Sequence, residues 1–372
     1  MKNCSGIIIS SNERKDYGAL SKTRPDYMLP YGGRYRIIDF ALSNMSNYKM
    51  STVMLYAGRN VRSTLDHIGD GKNWELNRRS NGLMINPPSF DELTHEQSEL
   101  HTFYDSLPHF QFSKTEHIYI ENPMAIAKVN LQKAYEEYLD KDYDALLMYE
   151  SVSDQENLYY GMYKLILDSD HRLVNVGMNL GIHTDFNLYF GRLFIKKKVF
   201  LDLVTDSMEK GNAQTLIQAI AANKSRLKIG CYDVNCHVEI ICDINSYYQS
   251  NLRLLDPRIY QELFYQGGLV YTKSKDEPSA LYKEGAQVAN SLIANGCIID
   301  GQVENSILFR GVYVHKNAIV RNCILFQKTD VSKDAVVINT ITDKYAQIGE
   351  GITVAGAVSN PYLVAKSEKI KR

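Results

Sequence analysis

Along the last quarter of the chain, branched apolar residues return at a nearly fixed distance. Val288-Ala-Asn290-Ser291-Leu292-Ile293 is followed by Val303-Glu-Asn305-Ser306-Ile307-Leu308, Val320-Arg-Asn322-Cys323-Ile324-Leu325 and Val337-Ile-Asn339-Thr340-Ile341-Thr342, at offsets of 15, 17 and 17 residues. A second phase, Val314 with Ala318, Val331 with Ala335 and Ile348 with Ile352, is again 17 apart. Aliphatics every five or six residues, with Asn or small residues between them, predict coils of three short strands around a triangular core. Asn and Gly fit the corners because they tolerate the backbone angles needed there.

This pattern resembles the left-handed parallel β-helix built from hexapeptide repeats; the competing explanation is a β-sandwich with accidental regularity. Some solenoids of this kind are acyltransferases with a catalytic His. Between Gly285 and the C-terminus only His315 is present, at a repeat corner and without a second candidate nearby, so an assembly role fits better than catalysis.

The first 255 or so residues follow other periods. Gly6-Ile7-Ile8-Ile9-Ser10 and Thr52-Val53-Met54-Leu55-Tyr56-Ala57 read as buried strands with a helix over Asp39 to Tyr48 between them, which is a βαβ unit. Ala125 to Leu139 has helical spacing, Asp144 to Tyr149 reads as a strand, and Leu158 to Val176 reads as a hairpin turning at Asp168-Ser-Asp170. Lys196-Lys197-Lys198 is a solvated helix start. The expectation is a Rossmann-like α/β domain with a mostly parallel sheet over residues 1–255, a linker over 256–285 and the β-helix over 286–372, with any ligand site of the sheet at the carboxyl ends of its strands.

Composition narrows the choice. The 42 Lys and Arg residues balance 43 Asp and Glu residues at a net charge of −1, so no global field draws the chain to nucleic acid or an anionic membrane. No apolar run reaches the roughly 20 residues that span a bilayer, and the short Ile7-Ile8-Ile9 stretch is no signal-peptide core; a cytoplasmic location is expected. The six cysteines form no C-x-x-C pair and read as reduced thiols rather than metal ligands.

The most distinctive segment is Pro30-Tyr-Gly32-Gly33-Arg34-Tyr35-Arg36-Ile37-Ile38-Asp39-Phe40-Ala41-Leu42-Ser43-Asn44. Here the chain resembles the ADP-glucose pyrophosphorylase (glucose-1-phosphate adenylyltransferase) family, whose members carry a near-identical segment after their first strand. Tyr247-Tyr248-Gln-Ser-Asn251-Leu252 matches the helix leading out of that family's catalytic domain. The resemblance implies a nucleotidyltransferase domain followed by a left-handed β-helix over essentially the whole chain.

The family's catalytic parts are substituted. Its G-G-x-G-T-R-L phosphate loop, where glycines let N–H groups approach the nucleotide phosphates, reads Ser11-Asn12-Glu13-Arg14-Lys15-Asp16-Tyr17, with Asp16 at the Arg position. Its R-A-K-P reads Arg24-Pro25-Asp26-Tyr27. Of the two carboxylates that hold Mg²⁺ in the family, one falls on Asn122 and the other on Ile240. The sugar-phosphate lysine aligns near Val176-Gly177-Met178-Asn179, and W-x-x-G-T-A-D-A has become Thr102 to Leu107.

The resemblance is to the family's non-catalytic, GlgD-type subunits. It implies a regulatory and structural partner of a catalytic GlgC-type subunit in a heterotetramer of glycogen biosynthesis, with no catalytic residue and no cofactor of its own. The enzyme-class alternative is an active glucose-1-phosphate adenylyltransferase that uses Mg²⁺ on relocated ligands, Glu121 and Asp243. Arg34 matches a family residue that contacts phosphorylated effectors; Arg24, Arg36 and Lys366 are further candidates for binding such an anion. Structural ion pairs or subunit contacts are the other reading of Arg34 and Arg36.

Overall fold

A computed structural model of the chain describes residues 1–10, 16–50, 52–78, 81–88, 98–155, 157–181 and 184–371. The first domain is laid on β1 (Cys4–Ile8), buried along its whole length, as the central strand of a parallel group. A small hairpin of β2 (Pro30–Tyr31) and β3 (Tyr35–Arg36) leads into α1 (Ile37–Asn47), and β4 (Thr52–Tyr56) returns beside β1 in parallel register, completing the expected βαβ unit. The Asp39 carboxylate accepts the Arg36 N–H at 2.9 Å and so satisfies one of the free donors at the start of α1. Gly6 lets α1 approach the sheet, because a Cβ there would run into the Met45 thioether.

After α2 (Arg62–Ile68), β5 (Leu83–Asn86) extends the parallel group; α3 (Glu99–Asp105) and α4 (Leu107–Phe112) precede β6 (His117–Glu121), which flanks β1 on its other side. The helical pattern read over Ala125 to Leu139 resolves into β7 (Ala125–Ala127) and α5 (Leu131–Asp140). The first three residues are pulled into a strand by β13 (Val238–Ile240), a partner more than 100 residues downstream, and the Asn130 side chain starts the helix by accepting the Lys133 N–H.

The second half of the sheet changes direction. β8 (Ala145–Ser153), the hairpin of β9 (Tyr163–Leu167) and β10 (Leu173–Met178), and the long bent β11 (Asp185–Lys196) are joined by antiparallel ladders, β11 also running antiparallel to β6; β12 (Ile229–Asp233) lies parallel to β8. The hairpin turns at Asp168, whose carboxylate accepts the N–H groups of Asp170 and Arg172. α6 (Lys197–Lys210) begins at the lysine run, and α7 (Leu216–Ala222) packs beside it. α8 (Ile244–Arg253) is the exit helix. Within 256–285 lie α9 (Pro257–Tyr265) and then an extended run whose end, Leu281–Tyr282, already pairs with the next coil at Ile298–Ile299.

The solenoid is three all-parallel sheets of six, five and five strands. Val288, Val303, Val320, Val337 and Val354 stand in one register column, as the repeat spacing requires. Ile299, Val314, Val331, Ile348 and Ile370 form another. At one corner Asn290, Asn305, Asn322 and Asn339 all take positive φ, between 40° and 52°. Their amides form a ladder there: Asn290 Nδ2 donates to Asn305 Oδ1 at 2.8 Å, Asn322 Nδ2 to Asn339 Oδ1 at 3.1 Å, and Asn339 Nδ2 to the Gly356 carbonyl at 3.0 Å. His315 is held in place: its ring stacks on Tyr313 at 3.7 Å and its Nε2 meets Asp330 at 3.3 Å.

The third face of the solenoid is packed on the α/β domain. Ile307, Phe309, Ile324, Phe326 and Ile341 belong to the same buried cluster as Tyr31, Tyr247, Tyr248 and Phe264; each such side chain contributes about 1.5–3 kcal/mol by leaving water. Tyr248 donates its hydroxyl to the Asn322 carbonyl at 2.6 Å, and the Gln249 amide reaches the Val358 carbonyl at 2.8 Å. All six cysteines are free, and no helix among the described residues is long and apolar enough to cross a membrane.

Candidate functional site

At the carboxyl ends of β1 and β6, where a sheet of this kind places its ligand, described residues line a small cavity. It measures about 20 Å³ and is lined by Ser10, Tyr17, Asn122, Met124, Met162 and Ile240, among others. That is room for about one water, against roughly 300 Å³ or more for a small-molecule pocket. Asn122 and Ile240, the two positions matched to the family's metal carboxylates, therefore do converge. Asn122 Oδ1 accepts the Met124 N–H at 3.1 Å, and Ile240 belongs to the ladder with β7.

Tyr17 is a buried part of that lining. It is 1% exposed, its hydroxyl donates to the Ile241 carbonyl at 3.0 Å, and burial, reinforced by Asp26, raises its pKa and keeps the phenol neutral. Residues 11–15 of the substituted phosphate loop lie outside the described residues; Asp16 is exposed and accepts the Gly18 N–H at 2.6 Å. Near the lost sugar-phosphate lysine, Asn179 is buried with its amide nitrogen on Asp154 at 2.9 Å and on the Tyr159 carbonyl at 3.1 Å. Thr102 to Asp105 form the end of α3.

The relocated-ligand pair does not fit a divalent cation. Glu121 is fully buried, and its carboxylate is engaged by Arg192 at 2.7 Å, the Tyr119 hydroxyl at 3.0 Å and the Asn44 amide at 3.1 Å. Releasing it would leave the Arg192 guanidinium buried without its counter-charge, a loss of about 3–5 kcal/mol. Asp243 is the N-cap of α8, accepting the Ser246 N–H at 2.7 Å. Among the described residues no cluster of three or more His, Cys, Asp or Glu is placed to hold a metal.

A second site lies at the joint of the two domains. A cavity of about 450 Å³ is lined by Thr23, Arg24, Arg36, Arg62, Ser63, Asp66, Lys344 and Lys366. It brings together three of the four anion candidates, Arg24 and Arg36 from the α/β domain and Lys366 from the solenoid; Arg34 is exposed on the preceding turn and is not part of the lining. Arg24 is 3% exposed, lies over the Phe326 ring, and donates through Nη2 to both Asp343 oxygens at 2.8 and 2.9 Å. Its other terminal nitrogen, Nη1, is buried with no hydrogen-bond partner, a costly arrangement that a bound oxyanion would relieve. Arg36 donates through Nη1 to the Met28 carbonyl at 3.0 Å; burial lowers its pKa to about 10, which leaves it cationic at neutral pH.

Lys344 escaped the sequence reading. Its signal was in the repeat: Phe309, Phe326 and Asp343 are successively 17 apart, so an acid interrupts a column of domain-facing aromatics. A buried acid in such a column requires a cationic partner, which is Arg24, and the residue following it lines the joint.

Comparison with known proteins bears on both sites. Residues 279–359 match the family model described as the GlmU-like C-terminal hexapeptide. The glycogen biosynthesis protein GlgD of Bacillus subtilis is 30% identical over 314 residues, covering 84% of this chain and 80% of that one. The GlgD protein of Geobacillus stearothermophilus is 29% identical over 85% of this chain and 82% of its own length. A glucose-1-phosphate adenylyltransferase of Clostridium perfringens is 27% identical over 86% and 82%.

Proposed function

The chain belongs to the GlgD family of glycogen biosynthesis proteins, relatives of glucose-1-phosphate adenylyltransferase, and from that premise we propose that it is a non-catalytic regulatory subunit. In this reading it is a cytoplasmic pseudoenzyme that pairs with a catalytic GlgC-type paralogue in a heterotetramer and alters that partner's activity or effector response. The observation that carries the reading is the substitution at the cleft: the positions matched to the metal carboxylates are Asn122 and Ile240, which line a cavity of about 20 Å³ together with the buried Tyr17. The joint pocket supports the regulatory half, since its cations and the unpartnered Arg24 Nη1 suit a phosphorylated effector.

A regulatory subunit needs only about 1–3 kcal/mol of differential binding between two states of its partner. The test is to assay ADP-glucose formation by the purified chain, by the catalytic paralogue and by their mixture, with co-elution measured by size. The expected result is no product from the chain alone and a changed rate or effector response in a mixed complex. Magnesium-dependent turnover by the chain alone, lost in Glu121→Ala or Asp243→Ala, would overturn it.

A further inference from the structure

We propose that the cavity between the edge strand β5 and the bend joining α3 to α4 is a binding site for a small aromatic amine, its ring on Met54 and Met84 and its ammonium group on Asp105. The inference is independent of the regulatory reading, because this cavity shares no lining residue with the cleft or the joint.

The cavity measures about 400 Å³, within the range of small-molecule sites. Its floor follows from strand register. Met54 of β4 and Met84 of β5 are direct neighbours in the parallel ladder, so their side chains stand on one face of the sheet, and Asn86 shares that face at the end of β5. The opposite wall is the helix bend, fixed by its own bonds. Ser106 lies between the two helices; its hydroxyl donates to the Phe103 carbonyl at 3.0 Å and meets the Tyr56 hydroxyl of β4, while Pro108 sets the first turn of α4.

The chemistry of the lining selects the ligand. It holds no lysine or arginine, and its one carboxylate is Asp105. The cation nearest that carboxylate is His101, 3.5 Å away and one helical turn back, with both side chains exposed, a pair too weak to hold Asp105 against an ammonium group. His109 also lines the cavity, its ring edge-on to Phe110 at 5.6 Å; burial lowers its pKa, so the imidazole is neutral at pH 7 and does not oppose a cation. Among the described residues neither the His109 ring nor the Asn86 amide makes a side-chain hydrogen bond, which leaves both as acceptors for an amine. An anion would instead meet Asp105 with nothing to balance it. The two thioethers favour an aromatic body, because they are polarizable and adapt to the edge or face of a ring, and Pro87 and Pro108 add rigid apolar contact.

Benzylamine is a suitable probe, titrated into the full chain with its methionine methyl groups carbon-13 labelled. Of the 11 methionines, Met54 and Met84 should shift, while Met124 and Met162 of the cleft stay still. Benzyl alcohol, the same ring without the charge, should bind up to about fivefold more weakly, the worth of one partly exposed ion pair, and benzoate should not bind. Asp105→Asn should bring benzylamine down to the affinity of the alcohol and leave the melting temperature unchanged. No shift at any methionine, shifts at Met124 and Met162 instead, or equal affinity for benzoate would each overturn the assignment, and these comparisons need only the wild type. Benzylamine bound as tightly by Asp105→Asn as by the wild type would overturn it too.

Discussion

The narrow cavity at the cleft and the wider one at the joint are built from the same stretch of chain. Tyr17 and Asp26 face the first, and Arg24 and Arg36, from the residues between and just after them, line the second. One cavity measures about 20 Å³ and is lined by a buried phenol and two methionines, among others; the other measures about 450 Å³ and is lined by five cationic side chains. Filled space is stabilising in itself, because packed side chains need no ligand. A cavity that concentrates like charge and strands a guanidinium nitrogen is destabilising until something enters. The difference separates a region where side chains pack against one another from a region where cations line open space.

The largest expected effect breaks the contrast at the joint. Arg24→Met leaves Asp343 buried without its partner and should cost about 3–5 kcal/mol in denaturant unfolding, while also removing most sulfate binding; unchanged stability would show that the ion pair is not what closes the domain contact. At the cleft, Tyr17→Ala should cost about 3 kcal/mol through the space it opens and gain no nucleotide binding by calorimetry. Catalysis restored by Asn122→Asp alone would show that the cleft is one substitution from function.

A smaller effect is pH-dependent. Lys344 has a folded pKa below its unfolded value, so between about 7 and its ordinary 10.5 the unfolded chain holds more protons, and stability rises with pH across that window. Without sulfate, the melting temperature of the wild type relative to Lys344→Met should therefore climb from pH 7 to pH 9; a constant difference would mean that the amine is not crowded by charge. Smallest of all, Arg34→Ala should change sulfate affinity by less than about twofold, whereas Lys366→Ala should weaken it several-fold; equal losses would redraw the boundary of the pocket.

What could be read from the sequence depended on the range over which each residue's partner lies. The solenoid was legible because its signal is local and repeated: Val303, Val320 and Val337 announce a register that the coils obey. The βαβ unit was legible for the same reason. Ala125–Ala127 was not, since its strand character comes from Val238–Ile240 rather than from its own period. At the cleft, Asn122 and Ile240 could be named by resemblance, but nothing nearby in sequence says that Tyr17 reaches the Ile241 carbonyl, 224 residues away. At the joint, Arg36 and Arg34 are indistinguishable as charges two residues apart; the β2–β3 turn decides which of them lines the cavity.

The Arg24–Asp343 pair also has a consequence in time. Its partners are separated by 319 residues, and Lys366 lies further still along the chain, so the pocket is among the last features that synthesis can complete. The α/β sheet can assemble while later coils are still unmade, since domains fold as units behind the growing end. The joint cannot close until the coil that carries Asp343 has been delivered and carried back across the whole domain, a loop closure of the slow, non-local kind. The anion binding proposed for this site would therefore be a property of the finished molecule alone.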